Sequence, residues 1–123
     1  MQREFDASVP STEPLTPALF HVLLALADGD KHGYAIMKEV HRLTAGAANL
    51  SAGTLYGILR RLLEAGLVTE VSSRPAPELD DERRRYYHLT KSGHAAAQAE
   101  TERLEATLAI ARSKRFRLKA RTS

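Results

Sequence analysis

Leu55, Ile58, Leu59, Leu62 and Leu63 recur at i, i+3, i+4, i+7 and i+8. This spacing stacks five aliphatic side chains on one side of an α-helix but would scatter them over both faces of a strand. The ends are marked as well. Ser51 stands where an N-cap belongs, with Leu50 and Leu55 at the two staple positions. Gly66 lies just past the end, with Leu67 placed to fold back on Leu62 in a Schellman closure. A rod with one greasy side has to bury it, so the rest of the chain must supply the cover. Opposite the stripe lie Gly53, Thr54, Gly57, Arg60, Arg61 and Glu64, with Tyr56 at the flank.

The cover is modest. In 123 residues, 43% are hydrophobic and 27% charged, which suits one ordinary globular domain with a single core. A first helix is expected from Thr16 as cap, Pro17 at the first position and a staple between Leu15 and Phe20. Its run Leu19, Phe20, Val22, Leu23, Leu24, Leu26 is nearly continuous, as in a mostly buried helix ending near Asp28-Gly29. Asp30 is the expected cap of a second helix reaching Leu43, with Ile36, Met37, Val40 and Leu43 on one face and Gly46 closing it. Two short strands follow the third helix, Leu67–Val71 and Arg84–Leu89, the second with Arg85, Tyr87 and Leu89 on one face. The stretch between them, "SSRPAPELDDE", holds two prolines and reads as an extended loop. Thr90 caps a long last helix in which Ala97, Thr101, Leu104, Leu108 and Ala111 are spaced 4, 3, 4, 3, the seam of a coiled coil. Burying that seam calls for a second copy of the chain.

The expected class is therefore mainly α with a small two-stranded β wing, a winged helix-turn-helix followed by a C-terminal dimerisation helix. The expected organisation is a flexible N-terminal arm over 1–14 and a winged helix-turn-helix domain over 15–89. A dimerisation helix over 90–112 and a basic tail over 113–123 complete it.

Several functions are excluded by what the chain lacks. With no cysteine, there is no disulfide framework, thiolate nucleophile or Cys-based metal site. The five histidines show neither HExxH nor i, i+4 pairing, so no metal is expected. There is no glycine-rich phosphate loop and no G-x-S-x-G, so neither a cofactor nor catalysis is expected. No apolar run approaches the ~20 residues that cross a bilayer, and the first residues lack the pattern of a signal peptide. A cytoplasmic location, away from membranes, is expected.

Charge points the other way, toward a partner. Residues 1–50 carry four Lys/Arg against six Asp/Glu, and residues 51–123 carry fourteen against nine. The basic half suits a polyanion. On the third helix, small side chains lead and long cations follow, which lets a helix sit deep in a major groove. Gly53 and Gly57 each cost about 1 kcal/mol against Ala within a helix; either a backbone approach by an outside group or crowding against the second helix would account for them. Tyr34 is a candidate hydroxyl donor to phosphate at the start of the second helix. Arg83, Arg84 and Arg85 crowd the base of the wing, where an adjacent phosphate would relieve their repulsion. The loop tip, with Glu78, Asp80, Asp81 and Glu82, is expected to turn away from such an anion. The tail from Arg112 to Arg121, with six cations in ten positions, is a further candidate contact.

The blocks "HGYAIMKEV", "SAGTLYGILRRLLEAGLV" and "RRRYYHLTKSGHAAA" resemble the PadR family of transcriptional regulators over about Leu15 to Leu108. The resemblance implies a homodimeric winged helix-turn-helix repressor on a pseudo-palindromic operator in double-stranded DNA, released by a small hydrophobic or aromatic effector. It also implies that Tyr34, Ser51, Thr54, Tyr56, Arg60 and the wing arginines face DNA. Thr54, Tyr56 and Arg60 are the expected base-proximal groups; Tyr34, Ser51, Arg61, Arg84 and Arg85 are the expected phosphate contacts. Gly57 stands where many relatives have proline, and Asp81-Glu82 where they usually have glycine. With one helix after the wing, an effector would have to lodge between the last helix, the first helix and the partner subunit. The rival expectations are a winged-helix protein-interaction module without DNA binding, and a small ligand carrier using the dimer cavity.

Overall fold

A computed structural model describes residues 14–71 and 85–116. The order is α1 (Pro17–Leu26), β1 (Lys31–His32), α2 (Gly33–Leu43), α3 (Ala52–Glu64), β2 (Val68–Val71), β3 (Tyr86–Leu89) and α4 (Lys91–Ser113). The three strands form one antiparallel sheet in the order β1-β3-β2. Val68 faces Leu89 and Glu70 faces Tyr87 across the hairpin, while Lys31 pairs with Tyr87 from the other edge.

The caps follow the sequence closely. The side chains of Thr16, Ser51 and Thr90 accept the N–H groups of Leu19, Thr54 and Gly93. The α3 exit is the anticipated closure: Gly66 has φ +77 and the Leu67 N–H donates to the Leu62 carbonyl at 3.0 Å. α2 ends through Ala45 and Gly46, both at positive φ, with the Gly46 N–H on the His41 carbonyl.

Two local expectations shift. α2 begins at Gly33 rather than after Asp30, and its cap is His32, whose Nδ1 accepts the Ala35 N–H at 3.3 Å. Lys31 and His32 have been drawn into the sheet as β1, a strand too short for any periodicity to reveal. Asp30 instead meets His88 on β3, Oδ1 to Nδ1 at 2.7 Å. The hairpin strands also start one or two residues late, because Leu67 belongs to the turn closing α3 and the described part of β3 opens at Tyr86. The expected arm up to residue 13, the loop and its acidic tip, Arg83, Arg84 and the tail beyond Phe116 lie outside the described residues.

The core gathers Leu19, Val22, Leu23, Ala25 and Leu26 of α1 with Ile36 and Val40 of α2. Leu55, Ile58, Leu59 and Leu62 of α3 and Val68 and Tyr87 of the sheet complete it. Burial of this order, at roughly 25 cal/mol per Å² of apolar surface, is what holds three short helices together. α3 is thereby fixed on one side and free on the other.

Candidate nucleic-acid interface

The outer side of α3 is built from its cap upward. The Ser51 hydroxyl accepts the Thr54 N–H at 3.1 Å and donates to the Thr54 hydroxyl at 3.0 Å. A hydroxyl has one hydrogen, so one proton serves the contact between the Ser51 and Thr54 hydroxyls and the other is available to a further acceptor. Gly53 has no atom within 4 Å of where a Cβ would sit, and the same holds for Gly57. Crowding against α2 therefore does not explain either glycine, and only an approach from outside remains of the two accounts. Neither residue helps the chain's own packing.

Tyr56 is held more firmly than its place at the stripe's flank suggests. Its hydroxyl lies over Gly33, and a Cβ there would collide with it. Glycine at 33 thus leaves room for the Tyr56 ring at the start of α2, and a larger residue there would displace that ring. Tyr56 remains 47% exposed and Tyr34, the next residue along α2, 62% exposed. The Lys38 ammonium sits 5.5 Å from the centre of the Tyr34 ring, a cation–π distance. Lys38 was not singled out by sequence; its signal is the i, i+4 spacing from Tyr34.

The cations divide by whether an anion already holds them. Lys31 is paired with Asp28 and Arg42 with Glu39. The hydrogen bond from Lys31 holds the Asp28 carboxyl below its usual range, and that from Arg42 does the same for Glu39. Arg85 reaches Glu70 across the hairpin at 3.1 Å. Arg60, Arg61 and Lys38 have no such anion among the described residues, and all three are exposed. Arg61 and Glu64 rim a shallow groove floored by Leu15, Leu19 and Leu62, so Arg61 lies toward α1.

Tyr34, Ser51, Thr54, Tyr56 and Arg60 are thus all exposed along α3 and the start of α2. Arg85 stands on the hairpin, and Arg84 lies outside the described residues. The His32 ring meets Tyr86 edge-on at 5.4 Å, which ties the cap of α2 to the wing strand. No group of side chains able to hold a metal ion occurs among the described residues. No helix there is long and apolar enough to cross a membrane.

The seam of α4 is mostly uncovered. Ala97 packs against the core and Ala111 is half-buried, whereas Leu104 is 47% and Leu108 39% exposed. The exposed Thr101 turns its hydroxyl back to the Ala97 carbonyl at 2.9 Å.

Residues 22–99 match the model of the transcriptional regulator PadR-like family. No curated protein sequence gives a significant match. Among solved structures, the chain is similar to a transcriptional regulator from Clostridium thermocellum, with 25% identity and a TM-score of 0.65 over 77% of this chain and 86% of that one. It is similar to RosR of H. salinarum, with 28% identity and a TM-score of 0.58 over 89% of this chain and 84% of that one. It shares the fold of Bacillus subtilis PadR, solved in complex with operator DNA, at 17% identity and a TM-score of 0.56 over 88% of this chain and 52% of that one.

Proposed function

Because the chain belongs to the PadR-like family, a family of transcriptional regulators rather than enzymes, we propose that it is a homodimeric repressor reading a pseudo-palindromic operator in double-stranded DNA. The observation that carries this reading is the outer side of α3, where Arg60 and Arg61 stand exposed, with no ion pair among the described residues, opposite the buried Leu55, Ile58, Leu59 and Leu62. The open backbone at Gly53 and Gly57 supports insertion of the leading end into a major groove. The complex of a fold relative with operator DNA is consistent with it.

In this reading Thr54, Tyr56 and Arg60 approach base edges. Tyr34, Ser51, Arg61, Arg84 and Arg85 bind phosphates and set the register. Arg85 exchanges its surface pairing with Glu70, worth at most about 1 kcal/mol, for a phosphate. The domain over 15–89 reads DNA, and the helix over 90–112 joins two copies through Ala97, Thr101, Leu104, Leu108 and Ala111. That spacing brings the two α3 helices to half-sites about one turn, ~34 Å, apart. A small hydrophobic or aromatic effector would relieve repression by lodging between α4, α1 and the partner subunit and altering that distance. Such a protein works in the cytoplasm.

The test is footprinting on the DNA flanking the chain's own gene, with gel shifts at several salt concentrations. A protected inverted repeat bound by a dimer is expected, with affinity falling steeply as salt rises. Failure to bind that DNA, with capture of an acidic protein instead, would favour the interaction-module reading.

A further inference from the structure

Glu100 is the one buried charged side chain among the described residues, 5% exposed on a helix that is otherwise mostly open. Its Oε1 accepts the Leu15 N–H, at the entry to α1, at 3.1 Å. The same oxygen accepts from Arg103, Nε at 3.2 Å and Nη2 at 3.1 Å. A carboxylate taken out of water needs such donors, and losing them leaves an uncompensated charge. The position just ahead of the α1 N-terminus also suits an anion.

A second anchor lies two turns earlier on the same face of α4. The Thr90 hydroxyl donates to the Gly66 carbonyl at 2.7 Å and the Thr90 N–H to the Leu67 carbonyl at 3.1 Å. Gly93 packs so closely on the Leu67 carbonyl that a Cβ there would overlap it. Gly66 and Leu67 form the turn that closes α3. α4 is therefore hydrogen-bonded once to the end of α3 and once, through Glu100, to the start of α1, with only the small side chains of Ala96 and Ala97 packed on the core between them. Beyond Glu100 only Arg103 and Ala111 are even half-buried.

We infer that Glu100 is a positioning residue that fixes the direction of α4 and, through it, the half-site spacing the dimer accepts. This role rests on the dimeric operator reading proposed above. Two polar anchors define the axis of α4, and without the outer one only the small contacts of Ala96 and Ala97 resist a pivot about Gly93. From Gly93 to the far end of α4 is ~30 Å at 1.5 Å per residue. A pivot of about 7° at Gly93 would move that end by ~3.5 Å, close to the ~3.4 Å step between bases along a strand. A looser clamp therefore relaxes the half-site spacing that the dimer accepts.

The experiment uses the full chain, which has no cysteine of its own. Spin labels go on Thr69→Cys in β2 and Ala106→Cys in α4, both at exposed positions. Labelled chain is diluted into excess unlabelled chain, so that distances within one subunit are read by pulsed electron resonance. The wild-type pair should give one narrow distance distribution. Glu100→Ala should broaden it about twofold at unchanged helicity, as expected of a freed hinge. Glu100→Gln, which keeps the acceptor oxygen, should restore the narrow distribution. Should Glu100→Ala fail to fold, Glu100→Asp withdraws the oxygen from Leu15 while keeping the charge and should broaden the distribution too.

The second arm uses duplexes selected in vitro from randomised sequence by the wild-type protein, with and without one base pair inserted between the half-sites. Wild type and Glu100→Gln should lose about tenfold or more in affinity on insertion, and the broadened variant about threefold or less. An unbroadened Glu100→Ala, or a broadened one with undiminished spacing preference, would overturn the inference. A wild-type chain that sediments as a monomer or ignores every duplex would sink the operator reading instead. The distance distributions would then still decide whether Glu100 directs α4.

Discussion

Helices α3 and α4 both carry leucines at helical spacing, and the domain treats them differently. On α3, Leu55, Leu59 and Leu62 are fully enclosed by α1, α2 and the sheet, and what faces outward is polar, small or cationic. On α4, the buried positions are Gly93, Ala96 and Glu100, while Leu104, Leu108 and Ile110 face outward. Apart from the half-exposed Tyr56, α3 is thus complete in apolar terms and unsatisfied in charge. α4 is satisfied in charge near Glu100 and unsatisfied in apolar terms further on. An exposed, unpaired cation suits an anion and an exposed leucine row suits another apolar surface. In the proposed reading the two helices therefore take different partners, a duplex for one and a second copy of the chain for the other.

The sharpest way to break this contrast is to truncate one leucine on each helix. Leu62→Ala removes a side chain 2% exposed and should cost about 2–5 kcal/mol of stability in urea unfolding. Leu108→Ala in a chain already made monomeric should cost under about 0.5 kcal/mol, as a surface change does. Equal losses would mean that the domain itself covers α4. The monomer for that comparison comes from Leu104→Glu alone; a separate chain combines Leu104→Glu with Leu108→Glu, which places like charges along the seam. Sedimentation should then give half the wild-type mass with the helical signal kept, whereas an unchanged mass would remove the seam argument.

Smaller effects sharpen the picture at the edges. Ser51→Ala removes the α3 cap and should lower stability by about 1 kcal/mol in thermal unfolding. Arg85→Ala breaks an exposed pair with Glu70 and should change stability by less than about 1 kcal/mol. It should nevertheless weaken binding to every duplex alike and flatten the salt dependence. The last effect concerns pH. Burial holds the Tyr87 phenol neutral beyond its ordinary value of 10, so the folded chain keeps a proton that the unfolded chain gives up. That contribution to stability is complete below pH 10 and fades as pH rises through the raised value. Tyr87→Phe should therefore lessen the alkaline fall in melting temperature.

The contrast also marks where sequence was legible. α3 could be read to its ends because its stripe, its Ser51 cap and its Gly66 closure are all local signals, each within a few residues of the next. The start of α4 at its Thr90 cap was readable for the same reason. β1 was not, since two residues carry no period and their pairing with Tyr86 and Tyr87 depends on chain more than fifty residues away. His32 as a cap was hidden by Asp30, a stronger capping residue that tertiary contact with His88 draws elsewhere. Glu100 was the most deeply hidden. A glutamate in an alanine-rich helix reads as solvated, and its partner Leu15 is 85 positions away. On the candidate interface, Arg60 was visible opposite its stripe, whereas the contact of Tyr56 with Gly33 required two helices to be in place.

The claim that most depends on α3 is that Arg60 reads a base. Fluorescence anisotropy titration of wild type and Arg60→Ala, on a selected duplex and on variants changed at one position at a time, tests it most directly. The prediction is a loss of about 1–3 kcal/mol confined to one base position in each half-site, with the remaining positions discriminated as before. A uniform loss on every sequence, or none at all, would contradict it.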